Sequence, residues 1–202
     1  MIIVIGGLPG VGKTTLAKAV KYALPTYDFY STGNTFRKLA CEWAVKNSLN
    51  LSEGEALMQY EELAKRDVSI DRNIDKSVEK FAEEHSNCVI ESRLAWYFVP
   101  RVVKHFNADG TRRLLTYLVI CSDKERFSRI SKRQEISEDD AKIQTLEREA
   151  AIAERYPKVH QIQFSEITDK NNFHHSFNSG MLTIQEEVDT ILFHLRSNGG
   201  RY

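Results

Sequence analysis

Ile2-Ile3-Val4-Ile5-Gly6-Gly7-Leu8-Pro9-Gly10-Val11-Gly12-Lys13-Thr14-Thr15 is the stretch on which the rest of the reading turns. Ile2 to Ile5 is an unbroken apolar run, the pattern of a parallel strand covered on both faces. Gly7 to Thr14 then fits G-x-x-x-x-G-K-[ST] in full, between a strand and a helix as that pattern requires. Gly7, Gly10 and Gly12 let the backbone turn its N–H groups inward, and the following helix N-terminus adds positive partial charge. Lys13 reaches toward β- and γ-phosphates, and the Thr14 hydroxyl suits Mg²⁺. Gly7, Pro9, Gly10, Val11, Gly12, Lys13, Thr14 and Thr15 are therefore the expected ATP-binding residues. The loop establishes nucleoside triphosphate binding and leaves the reaction open.

Outward from the loop, strand and helix alternate. A helix is expected from Thr14 to Ala23, ended by Pro25, then a short strand at Tyr27 to Tyr30. A helix over Phe36 to Val45 follows a turn at Gly33-Asn34. Ser52 with Glu55 has capping-box spacing ahead of an amphipathic run, and a further helix covers Asp71 to Glu84. Cys88 to Ile90 and Leu114 to Cys121 read as buried strands. Between them, Leu94 to Asn107 is ambiguous because Pro100 interrupts any helix. Ser122 with Glu125 and Ser137 with Asp140 cap two helices, the second running to Tyr156 and stopped by Pro157. Phe173 to Asn178 is the weakest strand, Thr183 with Glu186 caps a last helix, and Ser197 to Tyr202 reads as a frayed tail. This alternation predicts an α/β, three-layer fold on a parallel sheet.

The 202 residues suggest one domain, and 28 basic against 28 acidic residues leave no net charge for bulk nucleic-acid binding. No apolar run nears the ~20 residues of a membrane span, and the N-terminus lacks the pattern of a signal peptide. Cys41, Cys88 and Cys121 are too few for a disulfide framework, so a reducing cytoplasm is expected. The expected partners are small-molecule nucleotides, with no nucleic acid and no membrane, and the expected state is a monomer. His174 and His175 are adjacent, so on a strand they face opposite ways and cannot chelate one metal. No spacing supports a hydrolytic nucleophile.

A phosphoryl-transfer site must also neutralise the transferred group. Arg126, Arg129 and Arg133 share one helix face, and Arg148 and Arg155 share another, separated by the polar turn Gln134 to Asp140. Two arms with inward arginines are what a closing lid requires. The bland alternative is two solvated faces with intrahelical pairs to Glu147, Glu149 and Glu154. Arg37 follows the turn Ser31-Thr32-Gly33 and Arg93 follows the strand that ends at Glu91, where acceptors bind in open parallel sheets, and their forked guanidinium suits a phosphate. Glu91 ends an apolar strand and is placed to hold Mg²⁺ through water, or else simply caps the sheet. Trp43 reads as packing, whereas Trp96 and Tyr97 fit packing or base stacking equally well.

Taken together, the P-loop, Ser31-Thr32-Gly33-Asn34-Thr35-Phe36-Arg37, Ile70-Asp71-Arg72, Val89-Ile90-Glu91-Ser92-Arg93-Leu94, and Arg148 with Arg155-Tyr156 resemble the cytidylate kinase-like family, in its short archaeal-type branch. The likeness runs from residue 1 to about 156. It implies a P-loop kinase domain over 1–202, with five parallel strands, a monophosphate-binding helical insert at about 31–86 and a short helical lid at about 129–156. It implies transfer of the ATP γ-phosphate to CMP or dCMP with Mg²⁺. Thr32, Gly33, Arg37 and Arg93 would bind the acceptor, and Lys13, Arg129, Arg133, Arg148 and Arg155 would be catalytic. Thr14 and Glu91 would serve the metal. The chain departs from the family at Asn34, at Ser92 and over Ala95 to Pro100, all on the acceptor side. On the residues alone, a kinase for another small acceptor and a nucleotide-dependent switch or assembly ATPase stay open.

Overall fold

The computed structural model describes residues 1–106 and 113–199. Five parallel strands, β1 (Ile2–Gly6), β2 (Asp28–Ser31), β3 (Cys88–Glu91), β4 (Leu114–Ile120) and β5 (His175–Asn178), lie in the order β2-β3-β1-β4-β5. Alternation along each strand sorts side chains between two cores. Ile2, Val4, Cys88, Ile90 and Leu118 face one way, while Ile3, Ile5, Val89, Tyr117, Val119 and Phe177 face the other. Helices α1 (Lys13–Ala23) and α8 (Ile184–Ser197) cover the second face. The first is covered by α4 (Val68–Glu84), α5 (Ala95–His105) and the buried side of α7 (Glu138–His160). This is the expected three-layer α/β fold. Helices α2 (Thr32–Lys46) and α3 (Glu53–Arg66) join α4 around a small separate core of Ala40, Tyr60, Ala64, Ile70 and Ile74. Trp43 packs here against Tyr60.

Three local expectations are corrected. Gly33-Asn34 is no turn: it lies in the first turn of α2, because the Ser31 hydroxyl accepts from the Asn34 N–H and starts the helix there. Pro100 sits inside α5 without ending it. Burial of Ala95, Trp96, Phe98, Val99, Val102 and Val103 outweighs the one donor the proline lacks. Pro157 likewise leaves α7 intact to His160, whose ring packs edge-on to Tyr156 and Phe98. Trp96 lies in the core against Phe173, and Tyr97 stacks under Arg101. His174 bonds Thr116 while His175 stacks on His194, so the two rings do face opposite ways. Cys121 falls just past β4 and is half-buried. The ambiguous stretch ends at Asn107 and the frayed tail runs past residue 199; both ends lie outside the described residues.

Candidate active site

The site lies at the carboxyl ends of β1, β2 and β3. β1 delivers the chain into the P-loop, and Gly12, at φ 96°, caps α1. Two glycines are forced by close approach. A Cβ at Gly7 would stand 2.4 Å from the Val119 carbonyl oxygen, and one at Gly10 would stand 2.8 Å from that of Arg126. The loop is thus pressed between β4 and α6 (Asp123–Gln134). From α6, Arg126 Nε donates to the Pro9 carbonyl at 2.9 Å, and Arg129 donates to the Val11 carbonyl at 3.1 Å. Arg129 also holds Ser179 Oγ and the Ser179 carbonyl, each at 2.9 Å. Arg126 is buried and ion-paired to Glu149 of α7, so Glu149 bridges the two helices and makes no intrahelical pair.

Lys13 begins α1. Its Nζ donates to the Leu8 carbonyl at 3.3 Å and lies 3.6 Å from Glu91 Oε1. Burial pushes its pKa down to about 8. Glu91 opposes that shift, and the like charges of Arg93 and Arg148 add to it. Thr14 is half-exposed and Thr15 exposed in the same turn. Because Ser31 pairs in register with Glu91 across β2 and β3, the buried Glu91 carboxylate accepts from Ser31 Oγ at 2.6 Å. Thr32 Oγ1 donates to the Glu91 carbonyl at 3.4 Å.

Arg37 is one turn along α2 from Gly33. It donates to Asn34 Oδ1 at 2.6 Å and lies 3.9 Å from Glu53. Arg93 donates to the Tyr156 hydroxyl at 3.2 Å, and its buried Nε has no hydrogen-bond partner. Ser92, at the second departure, accepts from the Leu94 N–H and shapes the start of α5. Arg148 pairs with Glu61 of α3, and Arg155 Nε lies 2.6 Å from Asp71 of α4. Arg133 is exposed, with Arg37 a charged neighbour.

The fold therefore gathers Lys13, Glu91, Arg93 and Arg148 at one place, with Arg133 and Arg37 bordering it. It ties Arg129 to the Val11 carbonyl of the P-loop and to Ser179, and draws Arg155 into an ion pair with the α4 carboxylate of Asp71. A basic cluster beside a phosphate loop can hold two phosphate-bearing molecules end to end and screen the charge between them.

A family model described as an AAA domain matches residues 3–154. A cytidylate kinase of Methanobrevibacter smithii is 34% identical over 164 residues, 80% of this chain and 81% of that one. A cytidylate kinase of Methanosphaera stadtmanae is 32% identical over 167 residues, 83% of each chain. This chain belongs to the cytidylate kinase family. It is a P-loop phosphotransferase of the nucleoside monophosphate kinase kind. The crystal structure of shikimate kinase from Aquifex aeolicus has a TM-score of 0.52 at 15% identity, covering 98% of both chains, and shows the shared fold.

For a member of this family the donor set fits Mg²⁺. Thr14 offers a hydroxyl and Glu91 a carboxylate whose Oε1 faces Lys13. The described residues hold no group of three or more His, Cys, Asp or Glu able to cage a metal.

Several residues at the site had no role assigned from the sequence, although Ser31, Asp71 and Tyr156 lie in the motifs that carry the resemblance. Glu61, Tyr156, Ser31 and Ser179 each hold a cation or carboxylate of the site. Asp71 and Asp75 pair with Arg155 and His160, the latter at 3.2 Å. One signal was available. Asp71 and Asp75 directly follow Ile70 and Ile74 of the buried α4 stripe, so they flank the packed face at helical spacing.

Proposed function

We propose that the chain phosphorylates CMP or dCMP with ATP, in-line and without a covalent enzyme intermediate. The observation that supports this best is the convergence of Lys13, Arg93 and Arg148 beside Glu91 at the carboxyl edge of the sheet. The P-loop amides and Lys13 hold the ATP phosphates. Arg37 and Arg93, with Thr32 and Gly33, orient the acceptor. An oxygen of the acceptor phosphate attacks the γ-phosphorus as its bond to the β-bridging oxygen breaks, and ADP leaves with that electron pair. Arg133 and Arg148 neutralise charge on the group in transit, while Arg129 and Arg155 brace the loop and the acceptor-side helices. Mg²⁺, held by Thr14 and through water by Glu91, would offset charge on the β- and γ-oxygens. No strong base is needed, since positioning and charge neutralisation carry the catalysis.

In this reading residues 31–86 form the monophosphate-binding insert and 129–156 the lid. Closure excludes water and prevents wasteful hydrolysis. The protein works as a cytoplasmic monomer on small nucleotides. Among the described residues, no helix is long and apolar enough to cross a membrane.

The test is ADP release from ATP and Mg²⁺ across CMP, dCMP, UMP, AMP, GMP and dTMP, with Arg93→Ala as control. CMP or dCMP should stimulate strongly, and the variant should lose the stimulation. If another monophosphate stimulates instead, the acceptor is that one. If none does, the kinase for another small acceptor or the ATPase switch replaces this reading.

A further inference from the structure

Among the described residues, three arginine–carboxylate pairs tie α7 to its neighbours, and they differ in kind. Arg126–Glu149 is buried at both ends, with side chains 4% and 11% exposed. Arg155–Asp71 is nearly as buried, at 16% and 13%, and a second contact from Arg155 Nη2 to Asp71 Oδ1 at 3.3 Å reinforces it. Arg148–Glu61 is the more open one, with side chains 42% and 28% exposed, although Glu61 Oε1 itself is buried and, like Asp71 Oδ2 and Arg155 Nε, makes no aligned hydrogen bond among the described residues.

The open pair is also the one inside the cationic cluster. Glu61 acts on Arg93 as well as on Arg148, and Arg148 in turn lies within electrostatic reach of Lys13 and Arg133. The other carboxylates near these cations have partners of their own: Glu91 has Ser31 and Lys13, Glu149 has Arg126, and Asp71 has Arg155. Glu61 comes from α3, which belongs to the small α2–α4 core, so it reaches the cluster from across the cleft.

We infer that Glu61 is a displaceable stand-in for the acceptor phosphate, occupying Arg148 until a monophosphate arrives and turning out to solvent when it does. The inference rests on reading this cluster as the acceptor-phosphate site. A phosphate carries up to two charges and three acceptor oxygens, which suit a guanidinium fork better than one carboxylate oxygen does. The two anions repel each other at such range, so they do not share the arginine. Glu61 Oε1 is buried without an aligned hydrogen bond where it stands, so the carboxylate regains hydration on leaving. Its service is to specificity. An empty cluster of bare cations would bind inorganic phosphate and other small anions, whereas a resident carboxylate makes every anion compete. A whole nucleotide overcomes that competition with contacts from its sugar and base, which a lone phosphate lacks.

The experiment titrates inorganic phosphate into Glu61→Gln and wild-type protein by calorimetry, with ADP saturating the P-loop, and measures acceptor KM and kcat for both. An exposed ion pair is worth up to about fivefold in affinity. Glu61→Gln should bind phosphate about threefold to fivefold tighter and lower the acceptor KM by a similar factor. In an Arg148→Ala background the same substitution should have a clearly smaller effect on phosphate binding, that of Glu61 on Arg93 alone. Glu61→Ala carries the same expectation and covers a failure of the glutamine variant to fold. Unchanged or weaker phosphate binding overturns the inference. A fall in kcat at constant KM also overturns it, and assigns Glu61 to holding Arg148 in its working pose instead. The underlying reading fails separately, when no monophosphate stimulates ADP release by the wild-type protein.

Discussion

Under the proposed function, the donor side and the acceptor side of this site are built on different principles. On the donor side, eight consecutive residues from Gly7 to Thr14 form the cradle, and its donors are backbone amides and one lysine. β4 and α6 merely press it into shape. On the acceptor side no short segment suffices. Arg93 meets Tyr156, Arg148 meets Glu61 and Arg155 meets Asp71, each pairing an arginine with a residue far away in the chain. The backbone amides are set by the course of the loop, whereas each contact on the other side is one side chain that a single substitution removes. The expected departures at Asn34 and Ser92 fall beside that second group, at Arg37 and at the start of α5, while Trp96 packs into the core against Phe173.

The comparison is broken most sharply at Lys13. Lys13→Ala should lower kcat by about a thousandfold or more, the scale of losing one transition-state charge partner. The melting temperature should stay within a few degrees, since the lysine is buried at a cost that Glu91 only partly offsets. Near-normal turnover would mean that the P-loop is not the donor site.

Glu149→Ala tests the junction between the two sides. It strands the Arg126 guanidinium, 4% exposed, without its buried partner, at a cost of about 3–5 kcal/mol in unfolding free energy. A denaturant melt reads this directly. A loss under 1 kcal/mol would show that Asp123, 2.7 Å from Arg126, suffices alone.

The smallest effect is confined to the acceptor side and depends on pH. Burial, with the charges of Asp71 and Glu79, pushes Asp75 up to about 8. Burial, with Arg155 and Arg72, pushes His160 down to about 4. The folded pair therefore keeps one proton from pH 4 to 8, while the unfolded chain gives up its histidine proton near 6.5. The folded state holds the proton excess between 6.5 and 8, so stability falls as pH rises through that window, by about 2 kcal/mol at most. Asp75→Asn, which cannot titrate, should flatten this slope in melts at pH 6.5 and 8. An unchanged slope would place the titrating group elsewhere.

What could be read in advance followed the same division. The P-loop, the strand alternation and the caps at Ser52, Ser122, Ser137 and Thr183 were all legible, because each is settled within one turn or one strand. Arg148 and Arg93 were found as cations, but not what holds them. Intrahelical glutamates were weighed as partners for the arginine faces, and Glu149 instead crosses to Arg126. The prolines misled for a related reason. Local chemistry says that Pro100 and Pro157 break helices, but six buried side chains on α5 and the packed rings of Tyr156 and His160 on α7 outweigh one missing hydrogen bond each.

The sequence by itself determined a phosphate-binding loop on a parallel α/β sheet, because a strand, a glycine turn and a helix N-terminus are dictated by neighbours in the chain. Only the tertiary structure decided which carboxylate faces which arginine. Arg93 and Tyr156 are 63 residues apart, and Arg155 and Asp71 are 84 apart. A long charged side chain takes whichever partner packing brings within reach, and the packing of α3, α4 and α7 is a property of the whole fold.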